Sequence, residues 1–161
     1  AAYANGSHAV EVEVDPETGL VAILRYVVVH DCGKMANPML VEGQVQGGVA
    51  HGVGNALLEK MRFDEAANPL TTSFADYLLP DAGVVPTAEI YHVESPSPLN
   101  PLGVKGAGEG GTIPAAAAII SAVEDALRPF GVRIRETPIL PERLCELIDE
   151  ATAARLEKET V

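Results

Sequence analysis

The sequence predicts an α+β fold, with β-hairpins and mixed strands packed with two glycine- or alanine-rich helices and a C-terminal helix. Three observations carry this expectation. The chain opens with period-2 alternation, a turn and a β-branched run; two long small-residue segments of helical length follow; a charged helical segment closes it. At 161 residues the chain is long enough to bury a sizeable core. A single domain over residues 1–161 is expected, with 150–161 as a solvated tail.

The elements follow in order. "SHAVEVEV" (Ser7 to Val14) alternates apolar and acidic residues, the pattern of a strand with one wet face. "DPETG" (Asp15 to Gly19) has the Pro and Gly of a turn, and "LVAILRYVVVHD" (Leu20 to Asp31) is a β-branched run that pairs back as a hairpin. The segment from Pro38 to Lys60 has helical length, a proline suited to a first turn, and an acid–base pair at its end. It also holds five glycines, Gly43, Gly47, Gly48, Gly52 and Gly54. Each costs about 1 kcal/mol relative to Ala in a helix interior, so packing or function must offset several kcal/mol. The spacing of Gly43, Gly47 and Gly48 predicts one side of the helix open to close approach by another backbone or a ligand.

"MRFDEAANPLTTSF" predicts a second hairpin around "EAANP", and "TAEIYHVE" (Thr87 to Glu94) another strand. "SPSPLNPLG" (Ser95 to Gly103) has three prolines and must be an ordered, irregular loop. A glycine stretch, "GVKGAGEGG", leads into "TIPAAAAIISAVEDAL" (Thr112 to Leu127), a helix with Thr112 as candidate N-cap. "GVRIRETPI" predicts a short strand and "PERLCELIDEATAARLEKE" (Pro141 to Glu159) the last helix.

Composition removes several classes of function. Lys plus Arg number 11 against 23 Asp plus Glu, a formal charge of −12 with no basic cluster, which disfavours nucleic acid. No apolar run reaches the roughly 18 residues of a membrane span. Cys32 and Cys145 form no CxxC pair and suit a reducing, cytoplasmic setting. The chain opens without an initiator Met or a leader pattern, as a cut or processed piece of a larger subunit would. The four histidines lack HxxxH spacing, so no metal is expected to be held by protein side chains; no serine lies in a GxSxG elbow, and Lys105 precedes the glycines where a P-loop lysine would follow them.

The lone acid of the glycine stretch is Glu109. Two readings stand on the residues alone. A carboxylate near a helix N-terminus, with glycines leaving room for substrate, suits a general base; the same acid could simply cap the helix after Thr112.

"VVVHDCGKMANPMLVEGQVQGGVAHGVGNALLEK", "FADYLLP" and "SPSPLNPLGVKGAGEGGTIPAAAAIISAVEDAL" together resemble the C-terminal part of the molybdopterin-binding large subunit of the xanthine oxidase family, which includes aldehyde oxidases and carbon monoxide dehydrogenase-type subunits. The resemblance runs from Ser7 to Ile148. It implies a molybdenum hydroxylase, an oxidoreductase in which a glutamate removes a proton so that an oxygen can attack an electrophilic carbon of a small-molecule substrate. The family's catalytic glutamate stands in a Gly-x-Gly-Glu motif, here Gly106-Ala107-Gly108-Glu109, so Glu109 is the implied base. The family's pterin-contacting glutamine falls on Gln44, and Gly43, Gly47, Gly48, Gly106 and Gly108 are the implied points of close cofactor approach. Lys105 takes a positioning role.

His51 stands where several relatives have Gln. The implied cofactor is molybdenum–molybdopterin, the cytosine dinucleotide form among its variants, bound only with the rest of the subunit. Iron–sulfur and flavin (FAD) groups would sit on partner chains, since this sequence has no cysteine ligands for a cluster. A noncatalytic structural or assembly fragment of the same fold, or a small anion-binding module, are the competing classes.

Overall fold

The computed structural model describes the backbone of residues 2–159 and the side chains of residues 2–157. Its centre is a three-stranded mixed sheet of order β1-β2-β3, formed by β1 (Asn5–Val14), β2 (Val21–Asp31) and β3 (Glu89–His92). β1 and β2 are an antiparallel hairpin, closed where Asp15 accepts from the Gly19 N–H and gives its own N–H to Leu20. β3 joins the far edge of β2 in parallel, Val27 opposite Glu89 and His30 opposite His92.

The register of the hairpin shifts between Glu11 and Val12. Glu11 faces Arg25 while Val12 faces Ile23, so Leu24 is the extra residue of a β-bulge. Side chains alternate along a strand, and one inserted residue reverses that alternation. Val21 and Ile23 therefore point to the same face as Tyr26, Val28 and His30, and all five are buried or half-buried while Leu24 is exposed. The apolar run of β2 reads as a two-sided strand only because this shift is hidden in it.

Two helices cover the inner face in sequence. α2 (Ala115–Ala126) packs on β1, and α1 (Pro38–Leu57) packs on α2. Tyr26 and Val28 from the sheet, Val45, Val49 and Val53 from α1, and Ile119 and Val123 from α2 form the core. α3 (Pro141–Glu159) adds Leu144 and Ile148 to it.

Small residues set the distance between α1 and α2. A Cβ on Gly52 would lie 2.2 Å from the Cβ of Ala115, and one on Gly48 2.7 Å from the Gly111 carbonyl carbon. A Cβ on Gly111 would in turn meet the Val45 carbonyl oxygen at 2.1 Å. The structure thus divides the glycines that the spacing grouped together. Gly48 faces inward against Gly111, whereas Gly43 and Gly47 face outward with no heavy atom within 4 Å of a Cβ position.

Several boundaries differ from expectation, each for a local reason. α1 is capped by the Asn37 side chain, which accepts from the Leu40 N–H at 3.3 Å, and stops at Leu57 before the Glu59-Lys60 pair. There both Leu58 and Glu59 give their N–H to Gly54, and the Glu59 carboxylate turns back to take the Tyr77 hydroxyl at 2.6 Å. Thr112 is not the cap of α2: the Glu109 carbonyl accepts from Thr112 and Ile113, and the helix starts after Pro114 with no side-chain cap.

The expected strand over 131–139 is absent. Its donors are taken elsewhere, Ile134 N–H by the Glu124 carboxylate at 2.7 Å and Ile139 N–H by the Ala56 carbonyl at 2.8 Å. The hairpin around "EAANP" shrinks to one bridge, Phe63 to Pro69, on a turn held by Asp64. Among the described residues no helix is long and apolar enough to cross a membrane.

The two kinds of glycine respond oppositely to a methyl group. Gly47→Ala is expected to stabilise the chain by about 0.5–1 kcal/mol, because the site is open and helical. Gly111→Ala is expected to destabilise it by about 1–3 kcal/mol through overpacking against Val45. Urea unfolding of both variants checks the pair, and a stabilised Gly111→Ala would contradict the close approach.

Candidate functional site

The glycine stretch leaves β3 through a loop that has to be tied down, since prolines and glycines form no ladder of their own. Asp31, the last residue of β2, does the tying. Its carboxylate accepts from the Gly33 N–H at 2.8 Å, from the Ser95 N–H at 3.2 Å, from the Ser95 hydroxyl, and from Lys105 Nζ at 3.3 Å. Lys105 Nζ also donates to the Ser95 hydroxyl at 2.9 Å, and both charged side chains are largely buried. Burial alone would push the Asp31 carboxyl up, but the Ser95 hydroxyl, the Gly33 and Ser95 N–H groups and Lys105 together hold it well below the usual carboxylate range. Backbone bonds reinforce the tie, with the Lys105 N–H on the Cys32 carbonyl at 2.8 Å and the Lys34 N–H on Gly103 at 3.0 Å. Lys105 thus anchors the loop immediately before the glycines.

Beyond Lys105 the chain passes over the N-terminal half of α1. Gln44, on the exposed side of that helix, donates through Nε2 to the Gly108 carbonyl at 2.7 Å. Gly110 rests on His30, and a Cβ there would lie 2.2 Å from the imidazole Nε2. Gly6 of β1 leaves space on the other side, where a Cβ would be 3.9 Å from the Gly110 carbonyl oxygen. The residues on either side of Glu109 are thus fixed by the Gln44 bond and by packing on His30.

A cavity of about 470 Å³ opens at this point. Its walls are the chain from Ala2 to Gly6, the loop residues Gly106, Gly108, Glu109 and Gly110, His30, and the Ile113–Pro114 approach to α2. Glu109 is exposed, and among the described residues no protein group hydrogen-bonds its carboxylate. Gly106 and Gly108 have no heavy atom within 4 Å of a Cβ position, so the loop presents bare backbone beside the acid. Chemically this is an unshielded carboxylate on an immobilised loop, in a hollow with apolar walls.

A profile of the molybdopterin cofactor-binding domain matches residues 1–86. The chain belongs to the molybdopterin cofactor-binding domain family. It is 49% identical over 142 residues to the nicotine 6-hydroxylase large subunit of Paenarthrobacter nicotinovorans, which covers 88% of this chain and 17% of that one. It is 34% identical over 152 residues to the carbon monoxide dehydrogenase large chain of Hydrogenophaga pseudoflava, covering 94% and 19%. The crystal structure of quinoline 2-oxidoreductase from Pseudomonas putida 86 superposes with a TM-score of 0.89 at 46% identity, over 91% of this chain and 19% of that one. This molybdopterin-binding domain therefore spans about a fifth of the length of such relatives, and it matches part of their large subunit.

The structure brings Glu109, Gly106, Gly108 and Gln44 together. Gly43 and Gly47 lie on the outward side of α1 that carries Gln44, and Gly48 lies beneath the loop. Three groups escaped the sequence reading: the Asp31–Ser95 contact, which spans 64 residues, and the half-buried rings of His8 and His92, which carry buried nitrogens. Only the strand register could have revealed them.

Asp31→Asn is expected to destabilise the domain by about 1.5–3 kcal/mol, the range of a hydrogen bond to a charged group. Because the folded carboxyl titrates below the unfolded value of about 3.9, the wild-type advantage should be full at neutral pH and persist until the pH falls below about 4. Denaturation midpoints of both proteins at pH 7 and pH 3 check this.

Proposed function

We propose that this chain is the segment of a molybdenum hydroxylase large subunit that supplies the general base, Glu109, and one wall of the molybdopterin cradle. The observation that carries the reading is the free Glu109 carboxylate on a loop of bare backbone, at the mouth of a cavity, in a domain of this family. The competing role as a helix cap has little support. α2 starts only at Ala115 with no side-chain cap, and among the described residues no backbone N–H bonds the carboxylate.

The residues fit a flat, polar cofactor. Gly43 and Gly47 on α1 and Gly106 and Gly108 on the loop leave room for close approach, since a Cβ at any of the four would meet nothing within 4 Å. Gln44 stands between the two pairs and joins them through its bond to Gly108. These five residues would hold the pterin, while Gly48 acts from beneath by setting the height of the loop. When bound, the cofactor supplies the redox-active molybdenum that accepts the electrons of substrate hydroxylation. Glu109 takes the proton of the oxygen nucleophile on a carboxylate oxygen, and Gln44 orients the Gly108 peptide next to it.

The remaining four-fifths of the subunit would complete the cradle and select the substrate, a small molecule. Iron–sulfur and flavin chains would carry the electrons away, and the cytosine dinucleotide form of the cofactor and a cytoplasmic setting belong to the same proposal. Exposed apolar side chains agree with a covering partner: Met39 and Leu40 on α1 are 72% and 65% exposed and Ile113 is 74% exposed.

Glu109→Gln preserves shape and removes the base. In the complete enzyme, turnover per bound molybdenum should fall roughly 10²–10⁴-fold, the contribution of a positioned general base, while molybdenum and pterin content stay near wild type. Unchanged turnover per molybdenum would exclude Glu109 as the base.

A further inference from the structure

The strand register places three histidines on the inner face of the sheet below the glycine loop. His30, on the central strand β2, faces Gly6 of β1 on one side and His92 of β3 on the other, and His8 is two residues further along β1. The rings of His30 and His92 meet edge to face with centroids 6.1 Å apart, and His8 shares a 2.8 Å hydrogen bond with the Tyr26 hydroxyl.

His30 is only 1% exposed, and among the described residues neither of its ring nitrogens has a hydrogen-bond partner. Native proteins satisfy such groups, commonly with internal water. Its Nε2 edge lies directly against Gly110, the residue after Glu109, and the ring lines the same cavity as Glu109. The loop has backbone groups to offer it. Gly110 N–H makes one long bond of 3.3 Å to Ala107, and the Gly108 carbonyl is held from the opposite side by Gln44.

We infer that His30 is a positioning residue for Glu109, its Nε2 supporting the backbone of the Gly106–Gly111 loop by a hydrogen bond made through one internal water. The imidazole is more than a spacer. Phenylalanine is apolar and somewhat larger, so the glutamine–asparagine pair isolates the polar atom at the Nε2 position that the loop requires. Burial and the neighbouring His92 keep the His30 imidazole below its ordinary pKa, against the pull of Asp31, and burial does the same for His8, against the pull of the Gly110 backbone and with the help of His30. A neutral ring retains one donor and one acceptor, the pair that a bridging water needs. The inference rests on Glu109 as base only for its effect on turnover; the effect on the loop is independent of it.

Three variants of the complete enzyme separate polarity from bulk. His30→Gln places a polar atom near the Nε2 position, His30→Asn is polar but too short, and His30→Phe is bulky without polarity. Hydrogen exchange of the peptide spanning 106–113, read by mass spectrometry, should quicken roughly 3–10-fold in His30→Phe and His30→Asn, the opening that loss of one hydrogen bond permits. His30→Gln should stay within about twofold of wild type, and kcat should follow the same order with KM little changed. Exchange in His30→Phe equal to wild type, or in His30→Gln as fast as in His30→Asn, overturns the inference; the Gln–Asn comparison decides it if His30→Phe does not fold. Glu109→Gln measured alongside tests the base separately, because full turnover there removes the base and leaves the exchange result standing.

Discussion

The close approach of two backbones is the constraint on which the site depends. Gly48 of α1 and Gly111 of the loop meet where neither can carry a Cβ, and Gly110 and Gly6 continue the contact onto His30 and β1. A helix, a loop and two strands converge on one point with almost no side-chain volume between them. Packed interiors tolerate little change at such a point, because each added methyl must displace a backbone that is already hydrogen-bonded. The rigidity passes to Glu109, which stands one residue away. Among the described residues nothing bonds the carboxylate itself, so the peptide beneath it bears the task of aiming it.

Electrostatics serve the same end from the other side of the loop. Asp31 and Lys105 form a largely buried pair whose donors and acceptors are shared with Ser95 and Gly33. A buried charge pair on its own contributes little net stability. Here it defines position, since the carboxylate accepts from residues on both sides of the loop it closes. The glycines that follow can therefore stay free of side chains without becoming slack.

What the sequence disclosed follows from the range of the interactions involved. Hairpin and helices were legible because alternation, turn residues and small-residue runs are local signals, and the Gly-x-Gly-Glu stretch marked its own acid. The bulge at Leu24 was hidden in a run apolar on both sides of it. The strand over 131–139 had adequate propensity, yet its N–H groups were claimed by Glu124 and Ala56, which no window of nine residues contains. Thr112 has the right chemistry for a cap and lost to a turn that the Glu109 carbonyl had already begun. The histidine layer required the β1-β2-β3 register, and the Asp31 tie joins residues 64 and 74 positions apart. Individual glycines showed the same limit: periodicity grouped Gly48 with Gly43 and Gly47, and the crossing of α1 with the loop separated them.

The parallel pairing of β3 has a consequence in time. β1 and β2 close across a short turn, whereas β2 and β3 close across 64 residues at Arg25 and Glu89. Bringing ends that far apart together costs about 4 kcal/mol of chain entropy by the logarithmic law, against far less for the hairpin. Helix α1 lies inside that interval, so its formation shortens the effective distance before β3 can dock. By this entropy argument β3, the Asp31 tie and the glycine loop are expected to close after the hairpin. Because Lys105 ties the start of the loop to Asp31, opening that tie would release the loop and Glu109 with it.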